Sequence, residues 1–328
     1  MKNSVILITG GTGSFGNHFI PMTLKKYNPK KIIVYSRDEM KQWNMGNIIN
    51  SKKVEFVIGD IRDKERLQSI LSGVDYVIHA AATKIVPSSE INPSETVKTN
   101  ILGAMNLIDA CIEKKIKKVI ALSTDKACNP VNFYGATKLA SDKLFISSNI
   151  KSTNTKFAVV RYGNVMGSRG SVIPFFINES NKGIIPITDM RMTRFMISLE
   201  QAVEFVWLGM KDMAGGEIYV KKIPSMKVTD IAKVVNSKCK MKEVGIRPGE
   251  KLHEMMIGYE DAEYTYEYNG YYKILPQIFN KNQIKPMIKN GRKVGRNFLY
   301  SSDTNTEWMT NKNLNNWIIK NRDKIGTI

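Results

Sequence analysis

Cysteine and histidine are scarce in this chain of 328 residues, with three of each. Cys111, Cys128 and Cys239 show no metal-ligand spacing and cannot make an even disulfide framework, which suits a reducing compartment and a cytoplasmic location. The histidines are scattered, so no zinc or iron site is expected. No stretch approaches the roughly 18 consecutive apolar residues of a membrane span, and no membrane partner is expected. The opening MKNSVILITGG has a short apolar run followed by glycines rather than a small-residue cleavage site, so it reads as a strand and not a signal peptide. Acidic residues are outnumbered, 30 against 49 basic ones, for a formal charge of +19. A basic footprint marks many nucleic-acid binders. Here Lys and Arg run along the whole chain, in KKYNPKK, in KKIKK and through the tail, with no recognisable nucleic-acid module. The surplus reads as a solvated surface whose field attracts an anionic small substrate, and no nucleic-acid partner is expected.

What is present is alternation. SVILITG, KKIIVYS, KVEFVIGD, VDYVIHAA and KKVIALST are short Val/Ile-rich runs, each ending at a polar or small residue. Amphipathic segments such as KERLQSILSG and NILGAMNLIDACIEKK lie between them, and KFAVVRYGN follows a helix that begins near Tyr134. This pattern predicts an α/β fold, a doubly wound parallel sheet with helices on both faces. Ligands of such sheets bind beyond the carboxyl ends of the strands, so the chemistry belongs to the residues that terminate these runs. The second half is less regular. SLEQAVEFVWLGMKD and KVTDIAKVVNSK read as helices, the latter with an N-cap at Thr229. Beyond about residue 258 the aromatic stretch YEDAEYTYEYNGYY reads as irregular, and the Asn- and Lys-rich tail as loops and short helices on the main body.

ITGGTGSFG runs from the first strand into a helix, with Gly10, Gly13 and Gly16 in G-x-x-G-x-x-G spacing. Glycine lets the backbone turn sharply and approach a pyrophosphate, and the helix N-terminus offers N–H groups to the anion. With Thr12, Ser14 and Phe15 these glycines are the expected dinucleotide cradle. At the end of the second strand Ser36 and Arg37 favour NADP, since an arginine meets a 2′-phosphate bidentately, while Asp38 and Glu39 leave NAD open. Asp60, followed by Ile61, is placed to reach the adenine, and Ala80 and Ala81 let backbone pass close to the cofactor. His79 reads as a satisfied core histidine.

Tyr134 and Lys138 stand at i and i+4 and share a helix face. A nearby ammonium and a positive nicotinamide ring favour the phenolate, bringing the tyrosine toward its working range as a base. Asp125 and Lys126, in STDK, form a second acid–base pair that a simple alcohol dehydrogenase does not need; on spacing alone they fit a surface turn equally well.

TGGTGSFG, VYSRDE, KTNILGAMN, ALSTDKACNP, NFYGATKLASDKLF, RYGNVMGSRGSVIPFF, MTRFMISL, GGEIYVKKIPSMK and GIRPGEKLHE together resemble the extended short-chain dehydrogenases/reductases that act on nucleotide sugars. Within them the match narrows to the inverting UDP-N-acetylglucosamine 4,6-dehydratases of pseudaminic acid synthesis, over roughly residues 4 to 275. The resemblance implies a Rossmann-type domain of residues 1–164 plus about 188–214, a nucleotide-sugar domain of about 165–187 plus 215–280, and a basic extension over 281–328. It implies bound NADP regenerated each turnover, a UDP-sugar substrate, and a homo-oligomer. Tyr134 takes the C4 hydroxyl proton, with Thr124 at the C4 oxygen and Lys138 at the ribose. Lys126 is the base at C5, and Asp125 protonates the departing C6 hydroxyl. Hydride returns to C6 and the C5 configuration inverts, giving UDP-2-acetamido-2,6-dideoxy-4-keto-L-arabino-hexose. Lys84 matches a position near cofactor and sugar, although Thr83 and Ile85 stand where the family usually has Leu and His. Val165 is expected beside the cofactor. Asn164, Arg169, Gly170, Ser171 and Val172 are expected around the sugar, with Arg194 and Arg247 facing the UDP. Competing readings are a nucleotide-sugar 4-epimerase, a retaining dehydratase, and a non-catalytic NADP-sensing or nucleic-acid-binding protein.

Overall fold

The strand-and-helix alternation read from the sequence is realised in order. The computed structural model describes residues 1–326. The first half runs β1 (Val5–Thr9), α1 (Ser14–Tyr27), β2 (Lys31–Ser36), α2 (Glu39–Ile49), β3 (Val54–Ile58), α3 (Lys64–Ile70) and β4 (Tyr76–His79). It continues through α4 (Val86–Ile91), α5 (Pro93–Val97), α6 (Gly103–Glu113), β5 (Lys118–Thr124), α7 (Phe133–Lys151) and β6 (Lys156–Tyr162). These strands form one parallel sheet in the order β3-β2-β1-β4-β5-β6. Ile6 to Ile8, Val77, Ile78 and Val119 to Ala121 are fully buried, because helices cover both faces and leave no solvent side for an alternating pattern. The order reverses between β1 and β4, which opens a crevice at the carboxyl ends of the strands.

The sheet does not stop at β6. Strand Ile218–Lys221 adds in parallel, and the antiparallel hairpin Thr265–Tyr268/Tyr271–Ile274 and strand Arg292–Lys293 carry it to ten strands. One expectation is corrected here. The aromatic stretch after 258 is ordered as that hairpin, turning at Asn269–Gly270 with Gly270 at φ 78. The strands of segment 215–280 thus extend the main sheet, where they cover what would be an open edge at β6.

The second layer is built on the short sheet Asn164–Val165, Thr193–Ile197 and Ser225–Lys227. Helices Val172–Ser180, Val228–Val235 and Asn311–Lys320 close its own apolar cluster, which includes Ile173, Phe176, Met226, Ile231 and Leu314. The helix read from KVTDIAKVV starts one residue before Thr229, with Lys227 at the N-cap position and no side-chain cap, because strand Ser225–Lys227 runs straight into it. The expected tail of short helices is therefore a wall of the second core, and residues 327 and 328 of the expected extension lie outside the described residues. Among the described residues no helix is long and apolar enough to cross a membrane.

Candidate active site

The glycine loop is shaped by close contacts that no side chain would permit. Gly10 has φ +63, and a Cβ on it would lie 2.7 Å from the Ala81 backbone. A Cβ on Gly16 would lie 1.9 Å from the Gly11 carbonyl oxygen, so α1 leaves the loop in direct contact with it. The helix begins after Gly13 with no side-chain cap and no acidic residue in its first turn, a terminus suited to an anion. Phe15 is buried beside Phe19 and Ile61 packs against Gly103, walling the crevice. The cradle fits a dinucleotide pyrophosphate.

The adenosine end differs in detail from the sequence reading. Ser36 is buried and bonded inward, its hydroxyl accepting from Gln42 Nε2 at 3.0 Å. Asp38 caps α2 through Lys41 N at 2.9 Å and pairs with Lys41 Nζ at 2.9 Å, so its carboxylate is committed locally. The Asp60 carboxylate is held by Arg62 N and Nε at 2.9 Å each, and Arg37 approaches it at 3.6 Å. Arg37 keeps a half-exposed guanidinium at the strand end. The charge of Arg169 acts on Asp38 and on Lys84, whose Nζ donates to the Arg169 carbonyl at 3.2 Å. His79 is buried against Thr9, with Nδ1 2.8 Å from Oγ1, and burial pushes it down to about 3, a neutral core histidine as expected.

The reactive groups meet because β5 ends in a tight turn under the start of α7. Thr124 closes β5, Asp125–Ala127 makes one 3₁₀ turn, and Asn132 caps α7 by accepting from Gly135 N at 2.7 Å. A Cβ on Gly135 would lie 2.2 Å from the Lys126 carbonyl oxygen, so glycine lets the helix press onto the turn. Tyr134 consequently lies close to Thr124 and in the field of Lys126. Burial pushes its phenol up to about 12, and the Lys126 ammonium opposes this. Lys138 is buried one turn away, its Nζ donating to the Leu122 carbonyl at 2.8 Å, and burial lowers its pKa against the pull of Asp142.

Asp125 and Lys126 are not a surface turn. Asp125 is buried, its Oδ1 accepting from Thr124 Oγ1 at 2.9 Å and from Lys126 Nζ at 3.1 Å. Glu254, which the sequence reading passed over, brings Oε1 to 3.1 Å from the same Nζ. Burial opposes charge on Lys126, but the two carboxylates outweigh it and hold the ammonium above the usual lysine range. Burial raises the Asp125 carboxyl, while Lys126 and Arg194 hold Glu254 below its usual value against burial. Asp125 Oδ2, Glu254 Oε2, Asn164 Oδ1 and Ser171 Oγ are buried without a protein hydrogen-bond partner, polar atoms that a bound ligand would satisfy.

The expected sugar and UDP contacts divide. Asn164 and Arg194 share the short sheet, and Ser171, with Gly170 at φ +73, precedes the helix that starts at Val172. Val165 pairs with Ile197 next to Asn164. Arg194 is engaged by the protein itself, donating to the carbonyls of Thr193 at 2.7 Å and of Leu252 and Lys251 at 3.1 Å each. It clamps segment 251–254 instead of presenting an open guanidinium. Arg247 lies at the surface, half exposed and 3.7 Å from Glu250. The reading also missed Asn100, buried in a π-helical stretch over Lys98–Leu102. Its amide accepts from Thr83 N at 2.9 Å and donates to Thr83 O at 3.0 Å and to Thr137 Oγ1 at 3.1 Å, tying the Lys84 loop to α7. Neither Asn100 nor Glu254 stands at a motif spacing; each was visible only as one letter within the blocks KTNILGAMN and GIRPGEKLHE.

A family model described as polysaccharide biosynthesis protein matches residues 6–276. The UDP-N-acetylglucosamine 4,6-dehydratase (inverting) of Campylobacter jejuni subsp. jejuni serotype O:2 is 55% identical over 318 residues, 94% of this chain and 95% of its own. The UDP-glucose 4-epimerase of Rickettsia akari is 40% identical over 302 residues, 89% of each chain. Among solved structures, Pen from Bacillus thuringiensis superimposes with a TM-score of 0.89 at 34% identity over 98% of both chains. DesIV of Streptomyces venezuelae, a dTDP-glucose 4,6-dehydratase with NAD bound, has a TM-score of 0.71 at 22% identity over 87% of this chain and 96% of its own, a likeness of fold.

Proposed function

Because the chain belongs to the polysaccharide biosynthesis protein family, in the group of the inverting UDP-N-acetylglucosamine 4,6-dehydratases, we propose that it removes water from UDP-N-acetylglucosamine with inversion at C5. The observation that carries this reading is the Lys126 amine held 3.1 Å from Asp125 in a buried site beside Tyr134. A 4-epimerase only exchanges hydride at C4 and has no use for that pair.

A nicotinamide bound in the glycine cradle supplies the chemistry of accepting hydride from C4 and returning it to C6. Tyr134 takes the C4 hydroxyl proton, with Thr124 at the C4 oxygen and Lys138 placed for the ribose. The C4 ketone then acidifies C5–H. Moving one proton from Lys126 Nζ to Asp125 across their 3.1 Å hydrogen bond converts the ion pair into a neutral amine and a neutral carboxylic acid with no change of net charge. The amine takes the C5 proton, the C5–H electrons form the C5–C6 double bond, and the C6 oxygen leaves with the Asp125 proton as water. Elimination thereby restores the ion pair; after hydride return to C6, the C4–C5 enolate left behind takes a solvent-derived proton at C5 on the face opposite Lys126, which completes the inversion. Ser171 and Asn164 offer unpartnered buried oxygens to the sugar. We take the cofactor to be NADP, because Asp38 is committed to Lys41 while Arg37 stays half exposed with the Arg169 charge nearby. Identifying the nucleotide released on acid denaturation by mass spectrometry checks this.

The direct test is purified protein with UDP-N-acetylglucosamine and no added cofactor. Mass spectrometry should show loss of one water, and deuterium from solvent should appear at C5 with inverted configuration by NMR. Tyr134→Phe should abolish turnover, and Lys126→Ala should oxidise C4 but not eliminate. Intact substrate alongside retained cofactor, or a 4-epimer as sole product, overturns the reading.

A further inference from the structure

The dehydratase reading needs one base, Lys126, and one acid, Asp125. The structure contains a third member of this cluster. Glu254 is nearly fully buried, and its Oε1 lies 3.1 Å from Lys126 Nζ and 3.8 Å from Arg194 Nε. Its other oxygen, Oε2, has no hydrogen-bond partner.

We infer that Glu254 is a positioning residue for the C5 base: it fixes the Lys126 amine against Asp125 and stabilises the positive charge that forms on that amine as it removes the C5 proton. The inference rests on the dehydratase reading and deepens it.

A lysine carries a compact charge on a flexible four-carbon stem and does not hold one direction unaided. Lys126 Nζ has two fixed partners, Asp125 Oδ1 and Glu254 Oε1, each at 3.1 Å. Two of its three N–H directions are thereby used in the ammonium; after one proton has passed to Asp125, rotation about Cε–Nζ turns the freed lone pair to the third direction, which remains for substrate. Asp125 cannot do this alone, because it gives up its role as counter-ion when it takes the proton it will pass to the leaving hydroxyl. At that moment Glu254 is the remaining carboxylate beside the amine. As Nζ takes the C5 proton, positive charge appears on it in a site largely closed to water, where an opposite charge at hydrogen-bond distance acts strongly. The logic is that of a carboxylate that orients and stabilises a base without being protonated itself.

The surroundings keep Glu254 ionised. The groups facing the amine are Asp125 on its own turn, Tyr134 on α7, Glu254 before strand Met255–Ile257, and Arg194 on strand Thr193–Ile197, with Lys251 acting on Glu254 from the same segment. Asp125, Glu254, Lys126 and Arg194 make two anions and two cations, balanced before and after the internal proton transfer. Arg194 also anchors the backbone on which Glu254 rides, through the carbonyls of Lys251 and Leu252. Lys251 Nζ in turn donates to the Cys128 carbonyl at 2.6 Å, next to the catalytic turn. The carboxylate is therefore held in register with the turn from both sides.

The test uses Glu254→Gln, which keeps size and loses charge, and Glu254→Asp, which keeps charge and shortens reach. Mixed with UDP-N-acetylglucosamine, Glu254→Gln should still oxidise C4, so reduced nicotinamide accumulates at 340 nm. Solvent deuterium incorporation at C5 and loss of water should fall by at least about tenfold. The ionisation governing C5 exchange should move to lower pH by about one unit, since the ammonium loses one of its two carboxylates. Glu254→Asp should recover part of both effects. A purely structural role would lower oxidation and elimination together, leave the pH profile in place and reduce thermal stability, and that result overturns the inference. Wild-type rates and an unshifted profile in Glu254→Gln overturn it equally. Failure of the wild-type protein to dehydrate the sugar would instead sink the function itself, so the two failures are distinguishable.

Discussion

Single residues in this molecule are governed by how burial sets their charge. His79 is the simplest case, a ring enclosed between Thr9 and Phe145 whose pKa burial pushes down to about 3 from an ordinary 6.5. Between those values the unfolded chain binds a proton that the folded chain refuses, so stability falls as pH falls through that window. The loss from this one residue approaches about 1.4 kcal/mol per pH unit well inside it. His79→Asn, which can keep a bond to Thr9, removes the proton uptake. In urea titrations the stability gap between wild type and variant should therefore shrink from pH 6.5 toward pH 4; a gap independent of pH would show that His79 is not held neutral. Lys126 follows the opposite sign, since its carboxylate neighbours outweigh burial. The Tyr134–Lys138 pair was readable from its i, i+4 spacing. The influence of Lys126 on the phenol was not, because Lys126 arrives from a different element, while Lys138 Nζ donates to the Leu122 carbonyl.

Elements are placed by contacts too close for side chains. The meeting of α1 with its glycine loop depends on Gly16, where a Cβ would stand 1.9 Å from the Gly11 carbonyl oxygen. Gly16→Ala must push the helix away from the loop proposed to cradle the pyrophosphate. We expect at least a tenfold loss of retained nucleotide and about 2 kcal/mol of stability, in the range of overpacked cores, checked by nucleotide content and by thermal unfolding. Unchanged nucleotide content would mean the loop tolerates the shift. The glycine spacing pointed to this loop because its geometric demand is local. Segment YEYNGYY was equally legible in principle, with Asn-Gly between alternating aromatics as a hairpin signal. Its place on the sheet was not, because Tyr271–Ile274 pairs with Ile218–Lys221 some fifty positions earlier.

At the scale of the whole molecule, the basic tail is part of the machinery that shapes the crevice. Helix Asn311–Lys320 buries Leu314 completely in the second core, and Trp317 packs against Gly167, two residues before Arg169. Leu314→Ala should cost about 2–5 kcal/mol, as for other fully buried leucines. The second core should loosen first, so hydrogen exchange should rise in helix Val228–Val235 and around Gly167 before it rises in β1 or β5. Uniform exchange across both layers would instead show that the two cores unfold as one. Lys273 ties the same tail to the main sheet, completely buried with Nζ 2.6 Å from Asp212 and 3.0 Å from the Met287 carbonyl.

The amino-acid sequence by itself determined the parallel sheet, the dinucleotide loop and the Tyr134–Lys138 pair, because each depends on periodicity or spacing within a short stretch. It also singled out Asp125 and Lys126 as an unusual acid and base, without deciding between a solvated turn and a reaction centre. Tertiary structure ruled out the solvated turn, because it buries Asp125 and pairs it with Lys126. Gly135 lets α7 press onto the turn, and Arg194 carries Glu254 to Lys126 from more than a hundred residues away in the chain. A charge cluster of this kind is set by through-space distances of 3 to 4 Å between elements, which spacing along the chain does not encode.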